Sequence, residues 1–396
     1  MISLDYWVQD NRSFYDCNRG TQIIWKRKYD EDLYQMSMAI LLCAYYATDD
    51  IAKEEYNNAK YDMWFLACVY MFRQSIELIL KSLVSRTISK RHDFEVALAE
   101  DKHDLTKLWT RYKDNTDSLF VPFDEQMWIQ EYLDNIETVD KNSTLFRYPF
   151  RDDFLKQYNN DFIDICEMGN SLLNAYAILD KEYRGAADTS IYEIDTSRNN
   201  EFLIFASHGF GNCHLWESPW GDGFHKQVEG YSEVAEFIYE KYKQEQNNEY
   251  IFPMLFLLRN AIELSLKRLL FAKVINGVEQ YWIRKTRNSH SLKELWTAVN
   301  TMVRNYADEH GEDLQYLDYL EKGLQELDTI DKYGDVFRYP FDYNLSYRFD
   351  GQIIDVDNVF EFMAGLFNIL DGCSSMLSDI ADCEAEMLYE MQSYMW

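Results

Sequence analysis

The sequence predicts a mainly α-helical protein made of two tandem helical bundles, which are joined by a small β-containing connector. Only 15 of the 396 residues are glycine and 5 are proline, a composition that favours long helices over a turn-rich β fold. The length exceeds what one ordinary hydrophobic core organises, so two domains are expected. Three blocks of sequence also occur twice in the same order, which indicates a duplication.

The three repeated blocks set the domain boundaries. FRQSIELILKSL returns as LRNAIELSLKRL after 186 residues, HDLTKLW returns as HSLKELW after 187, and FRYPF returns unchanged after 191. The small drift indicates loop insertions within a common fold. The predicted organisation is an N-terminal segment (1–30), a first repeat (31–183), a connector (184–229) and a second repeat (230–396).

Each repeat is predicted to contain about five helices. A polar-faced helix comes first, and the IEL helix that follows is apolar almost all round, so it is expected to be central and buried. HDLTKLW and HSLKELW each begin a further helix with a buried stripe, and a fourth helix leads to FRYPF. Proline then interrupts the helical run before a last helix. In the second repeat the Asp350-Gly351 step predicts an added hairpin before that helix.

The connector differs in character from the repeats. IYEID, EFLIFAS and NCHLWES are typical of short strands, and Gly-rich turns are present among them. Four residues in this region have zinc-binding side chains, but their spacing matches no familiar zinc site, so no metal is predicted. These residues are His208, Cys213, His214 and His225. No cofactor motif is present.

Charge and cysteine content restrict the class of protein. The net charge of −29 argues against a protein that coats duplex DNA, because phosphate binding needs a basic surface. Seven cysteines without a CxxC pair fit a reducing cytoplasm. The N-terminus lacks the basic and apolar regions of a signal peptide. The most apolar stretches carry charges in their middles, so we expect buried helices and no membrane association.

The IEL helices carry charges at four-residue steps along one face. The lysines lie near the predicted helix ends, where they can reach water, whereas the arginines and glutamates lie deeper and need partners. We expect these partners to include His103 and His290, together with Arg147 and Arg338 of the two FRYPF blocks. Those arginines can form bidentate bonds to a carboxylate or to a ligand phosphate. The helix charges are Arg73, Glu77 and Lys81 in the first repeat and Arg259, Glu263 and Lys267 in the second.

Two interpretations of these charges remain open. In the first, they form an internal network that holds the helices together and anchors the FRYPF loop. In the second, the same charges line a nucleotide- or RNA-binding site. Charge clusters of both kinds look alike in a sequence, and their presence in both repeats fits either interpretation.

The series R..IEL.LK, H.L..LW and FRYP resembles the helical HEPN superfamily, named for higher eukaryotes and prokaryotes nucleotide-binding. The resemblance covers both repeats. It implies HEPN-like helical bundles that pair, here as an intramolecular pseudo-dimer. Many HEPN domains are RNases of toxin–antitoxin, abortive-infection and CRISPR-linked defence systems, and others are inactive binding or scaffold modules. The resemblance therefore implies a cytoplasmic prokaryotic defence protein.

The sequence departs from the catalytic HEPN pattern at one point. Catalytic members carry an arginine, then four to six residues, then a histidine near the start of the last helix, but no histidine follows FRYPF here. That spacing occurs elsewhere without duplication, and Arg304 to His310 is the best match. Arg86 to His92 and Arg284 to His290 are the other two matches. Metal-independent RNA cleavage needs a base and cations. His103 or His290 as base and Arg147 or Arg338 as cation are the alternative candidates.

Two functions are therefore expected from the sequence. One is a HEPN-like effector that binds RNA or a nucleotide, with RNase activity at a site between the repeats. The other is a catalytically inactive interaction or regulatory subunit of an antiphage or toxin–antitoxin complex, with a protein partner. In the second case each histidine caps a helix or partners Glu77 or Glu263.

Overall fold

The computed structural model describes residues 2–3, 5–54, 57–148, 157–185, 193–215, 223–275 and 289–393. This part of the chain is mainly helical, as predicted. Its helices are α1 (Tyr29–Lys53), α2 (Asn58–Thr87), α3 (Arg91–Asp101), α4 (Leu105–Asp114), α5 (Phe123–Asp140), α6 (Ile165–Arg184), α7 (Gly223–Glu245), α8 (Ile251–Ile275), α9 (Leu292–Glu309), α10 (Gln315–Ile330) and α11 (Val356–Ser393). Its strands are β1 (Thr21–Gln22), β2 (Phe162–Ile163), β3 (Phe205–Ala206), β4 (Cys213–His214) and β5 (Ile353–Ile354).

The IEL helices are central, as the sequence predicts. In α2 every residue from Trp64 to Val84 is buried, and this helix packs against α1, α4 and α6. Its counterpart α8 packs against α7, α9 and α11. Helix α2 also packs against α7, so a central helix of the first repeat contacts the second.

Within the described residues, the first repeat contains one helix more than expected. Helix α3 stands between the IEL helix and the HDLTKLW helix, α4. The corresponding stretch of the second repeat falls within residues 276–288, outside the described residues. Helix α7 begins at Gly223, within the range assigned to the connector.

Local hydrogen bonds explain where several helices begin. The side chain of Asp104 accepts a hydrogen bond from Lys107 N at the start of α4, and Ser291 accepts one from Glu294 N at the start of α9. These are N-cap interactions, which satisfy backbone N–H groups that have no partner within the helix. The caps directly follow His103 and His290, so the histidines are left free for another role.

The strands connect each repeat to the segment that precedes the other repeat in the sequence. Strand β1 of the N-terminal segment pairs antiparallel with β5 of the second repeat. Strands β3 and β4 of the connector both pair with β2 of the first repeat. The strands predicted in EFLIFAS and NCHLWES are therefore present. The strand predicted in IYEID begins outside the described residues, and its residues 193–195 are not in a strand. The hairpin predicted at Asp350-Gly351 is wrong, because β5 takes its partner from the N-terminal segment.

A buried phenylalanine marks the N-terminal segment and the connector as counterparts. Phe14 stacks on Phe337, the first residue of the second FRYPF, with ring centroids 6.2 Å apart. Phe202 packs edge-on against Phe146, the first residue of the first FRYPF, at 5.6 Å. Each segment thus leads into one repeat while covering the FRYP loop of the other.

Helix α2 is long and apolar enough to cross a membrane by length and composition alone. However, 94% of its most apolar window is buried inside the protein, which is compatible with the core helix of a soluble protein.

Candidate functional site

Glu77 is the centre of a cluster of charges in the first repeat. Its carboxylate is fully buried and accepts hydrogen bonds from Arg73 Nη1 at 2.7 Å and Lys81 Nζ at 2.6 Å. His103 Nδ1 lies 3.0 Å from Glu77 Oε1, and the Tyr339 hydroxyl donates to the same oxygen at 2.6 Å. Burial alone favours the neutral acid, but Lys81, His103 and Arg73 outweigh it and hold the pKa of Glu77 well below its usual range.

Glu263 is the centre of a matching cluster in the second repeat. Arg259 Nη1 donates to it at 3.1 Å and Lys267 Nζ at 2.6 Å, and His290 Nδ1 lies 3.0 Å away. Burial is again opposed by the neighbouring positive charges, which hold the pKa of Glu263 well below its usual range. The helix charges and the histidines predicted to meet therefore do meet, once in each repeat.

The tyrosine of each FRYP block completes the cluster of the opposite repeat. Tyr339, from the second repeat, donates to Glu77 of the first repeat. Tyr148, from the first repeat, has its hydroxyl 3.1 Å from His290 Nδ1 of the second. The sequence does not reveal this exchange, because identical blocks fit within one repeat or between two repeats equally well.

The lysines are not near water, contrary to the sequence-based expectation. Lys81 is 3% exposed and Lys267 only 1%. Each ammonium lies over the ring of the exchanged tyrosine, at 4.6 Å from the centroid of Tyr339 for Lys81 and 4.1 Å from that of Tyr148 for Lys267. A cation–π contact and a glutamate bond together replace the water that the lysine loses.

Arg147 and Arg338 converge on the same place between the repeats. Tyr70 of α2 stacks on Phe256, its counterpart in α8, with centroids 5.1 Å apart. The Arg147 guanidinium lies 5.8 and 6.0 Å from these two ring centroids, and that of Arg338 lies 5.5 and 5.9 Å from them. Only 5% of Arg147 and 4% of Arg338 is exposed.

The partners of these arginines differ from the prediction. Arg338 Nη2 donates to Gln74 Oε1 at 2.9 Å, and Arg147 Nη2 donates to the Tyr148 hydroxyl at 2.8 Å. Among the carboxylates that the structure describes, none forms an ion pair with either guanidinium. The expectation that they bind a glutamate of the IEL helix is therefore wrong, since tyrosine and lysine occupy that position.

The histidines are the most exposed members of the clusters. The side chain of His103 is 27% exposed and that of His290 is 29% exposed. Burial lowers the pKa of His103, with smaller contributions from Lys81 and Arg338, whereas Glu77 opposes the shift. His103 is therefore neutral at neutral pH.

Two aspartates belong to the clusters and were missed by the sequence reasoning. Arg73 Nε lies 3.3 Å from Asp140 Oδ2, and Arg259 Nε lies 3.6 Å from Asp331 Oδ2. The other oxygen of Asp140 accepts two backbone N–H groups of the loop that leads to FRYP, and Asp331 does the same. A signal was present: ETVDKNSTLFRYPF and DTIDKYGDVFRYPF share their Thr, Asp and Lys at the offset of FRYPF.

Arg304 and His310 do not join either cluster. Arg304 pairs with Asp318 at 2.9 Å and with Glu321 at 3.1 Å. His310 is exposed at the end of α9, where its Nδ1 lies 2.8 Å from Tyr306 O. Of the other two pairs with this spacing, one begins at Arg284, which lies outside the described residues. The other ends at His92, which is exposed on α3 beside Glu95.

The zinc-capable residues form no centre in the part of the chain that the structure describes. No group of three or more His, Cys, Asp or Glu side chains there is arranged to hold a metal ion. Cys213 and His214 lie on β4, while the side chain of His225 lies outside the described residues.

The chemistry open to the clusters follows from what solvent can reach. All six cations, namely Arg73, Lys81, Arg147, Arg259, Lys267 and Arg338, are at most 5% exposed. Among the described members of the clusters, His103 and His290 are the side chains with the largest exposed fraction. In comparisons with known proteins, the chain matches no family model, no curated protein and no solved structure.

Proposed function

We propose that this chain is a tandem HEPN-like pseudo-dimer without catalytic activity, and that it serves as an interaction or regulatory subunit of a prokaryotic defence complex. The burial of all six cluster cations carries this proposal. RNA cleavage needs cations positioned against the charge that develops on phosphate. Here those cations are already bonded to protein groups and are covered by side chains.

The exchange of FRYP tyrosines supports the pairing of the two repeats. Each glutamate holds an arginine, a lysine and a histidine of its own repeat and contacts the tyrosine of the other. Removing any one of these groups leaves a buried charge with fewer partners, which is costly. The clusters therefore stabilise one fixed arrangement of the repeats, as a scaffold requires.

The charge of the chain supports a protein partner with a basic surface. A net charge of −29 favours association with positive surfaces and disfavours nucleic acid. The expected complex weakens as ionic strength rises, since salt screens exposed charges. Co-purification with the products of neighbouring genes at about 0.05 and 0.5 M salt tests this. Binding that is equally strong at both salt concentrations contradicts an electrostatic partner.

An RNA-cleavage assay without divalent ions tests the lack of catalysis. We expect no cleavage of total RNA by the wild-type protein or by R147A/R338A. As a matched control, R86A removes an arginine that is half exposed. Cleavage by the wild type and by R86A, but not by R147A/R338A, would overturn the proposal and identify an RNase.

The exposed edges of His103 and His290 favour one alternative. An imidazole at the edge of a cluster can take a proton from a ribose 2′-hydroxyl. Under this alternative the chain binds RNA or a nucleotide and cleaves RNA between the repeats. H103A/H290A then abolishes cleavage and H310A does not, because His310 lies outside the clusters.

A further inference from the structure

The two halves of the centre between the repeats are not equivalent. At the stacked rings, two residues of the first repeat differ in chemistry from their counterparts in the second repeat. Tyr70 corresponds to Phe256, and Gln74 corresponds to Asn260. The half that contains Phe256 and Asn260 therefore lacks one hydroxyl and one methylene group.

The Arg338 half is closed by a chain of hydrogen bonds. The Tyr70 hydroxyl donates to Gln74 Oε1 at 3.0 Å. Arg338 Nη2 donates to the same oxygen at 2.9 Å. Gln74 is long enough to reach the guanidinium and to accept both bonds.

The Arg147 half is looser at its amide, although Arg147 still donates to the Tyr148 hydroxyl at 2.8 Å. Phe256 has no hydroxyl to offer, and the shorter Asn260 accepts from Arg147 Nε only at 3.5 Å. The bond from Arg147 Nη2 to Gly334 O is also long, at 3.4 Å. Asn260 Nδ2 is shut off from solvent and has no hydrogen-bond partner among the described residues.

The unsatisfied groups at this centre are donors. Besides Asn260 Nδ2, the buried Arg338 Nε lacks a partner within the described part of the chain. Both guanidiniums face the same two rings, and neither forms an ion pair with a carboxylate among the described residues. Buried donors and buried charges without partners are costly. A group that only accepts hydrogen bonds and carries negative charge satisfies both requirements at once.

We propose that the centre between the repeats binds a small anion, held by Arg147, Asn260 and Arg338. We place the anion on the Arg147 side of the centre, where one hydroxyl and one methylene are missing, and we take chloride as the probe of its size. This site is independent of the proposed scaffold function, since it concerns what occupies the centre and not what the protein acts on.

Thermal unfolding at constant ionic strength tests the site. Sodium chloride is compared with sodium gluconate, whose anion is much larger than chloride, and inorganic phosphate forms a further arm. Because a ligand stabilises the state that binds it, chloride at a hundred times its dissociation constant is expected to raise Tm by about 3 °C relative to gluconate. A response to phosphate but not to chloride identifies a small oxyanion as the ligand.

The chain supplies its own matched variants. F256Y/N260Q gives the Arg147 half the residues of the Arg338 half, and it is expected to remove the dependence of Tm on the anion. Y70F/Q74N opens the other half and is expected to strengthen that dependence. Neither variant alters a residue of the glutamate clusters.

Crystals of the wild-type protein grown in bromide give a readout that does not depend on the variants folding. We expect an anomalous peak between Arg147 and Arg338. The proposal is overturned if the peak is missing, or if the wild-type Tm is the same in every anion, in which case water or nothing fills the space.

Discussion

The FRYP loop of each repeat has two sides, and they differ in how strictly they are preserved. On the tyrosine side, the glutamate, arginine, lysine and histidine are identical in the two repeats. On the phenylalanine side, the N-terminal segment and the connector share little sequence, yet each places one buried phenylalanine, Phe14 or Phe202, against the loop. Whether a residue is identical in the two repeats therefore depends on the kind of interaction it makes and not on how deeply it is buried.

The physical reason lies in how replaceable each interaction is. A buried carboxylate with several bonded partners tolerates no substitute, because any change leaves a charge unpaired. An apolar side chain in a pocket needs only a suitable volume, and swaps that preserve volume cost less than about 1.5 kcal/mol. The sequence around Phe14 and Phe202 was therefore able to diverge while the strand pairing remained.

Replacing either central glutamate is expected to have the largest effect. E77Q and E263Q each leave an arginine and a lysine buried with a weakened partner, and each is expected to lower the free energy of unfolding by about 3–5 kcal/mol. Urea denaturation measures this. E240Q, at an exposed pair with Lys243 on α7, is expected to change it by less than about 0.5 kcal/mol. If E77Q and E263Q lower the free energy of unfolding by different amounts, the two clusters do not contribute equally to stability.

Truncating the buried phenylalanines tests the other side of the loop. F14A and F202A each remove a fully buried ring, and each is expected to cost about 3 kcal/mol. F14L and F202L are expected to cost much less, because volume is largely kept. F205A on β3 is the control, since Phe205 is exposed. A leucine variant as damaging as the alanine variant would contradict the idea that size alone matters here.

Removing the exchanged hydroxyl groups isolates the contribution of the contact between repeats. Y339F and Y148F preserve ring volume and the lysine contact but remove the bond to the cluster, so each is expected to cost about 2 kcal/mol in urea denaturation. Y333F, at an exposed tyrosine, is the control. If Y339F and Y333F lower the free energy of unfolding by equally small amounts, the exchanged hydrogen bond does not stabilise the pairing of the repeats.

The smallest effect concerns pH and Glu137, which lies 3.5 Å from Arg73 in the first cluster, where the second repeat has Asp328. Burial raises the pKa of Glu137 from 4.5 to about 7, although Arg73 opposes the shift. The native state then keeps a proton that the unfolded chain has lost, so this stability is present below pH 4.5 and lost as pH rises through about 7.

E137Q is accordingly expected to flatten the stability curve between about pH 4.5 and 7 by no more than about 1 kcal/mol, as measured by urea denaturation at several pH values. D328N, at the matched position of the second repeat, is the comparison variant. A steeper curve in E137Q than in the wild type would reverse the assigned sign.

Helical periodicity and the repeated blocks were sufficient to predict the helical class, the burial of the IEL helices and the meeting of Glu77 with Arg73 and His103. These features follow from spacing along one helix and from the need to pair a buried charge. The exchange of Tyr148 and Tyr339 could not be predicted, since a duplicated sequence does not state which copy of a loop meets which helix. The burial of Lys81 was missed for the same reason, because the ring that covers it comes from the other repeat.

The exchanged tyrosines also set an order of events during synthesis. Tyr339 is added to the chain 262 residues after Glu77, the side chain to which it binds. While the ribosome makes the intervening chain, the first repeat holds a carboxylate, an arginine and a lysine without the group that covers them. The emerging first repeat is thus an incomplete unit that depends on the second, and a nascent chain stalled before residue 339 is a natural target for chaperones.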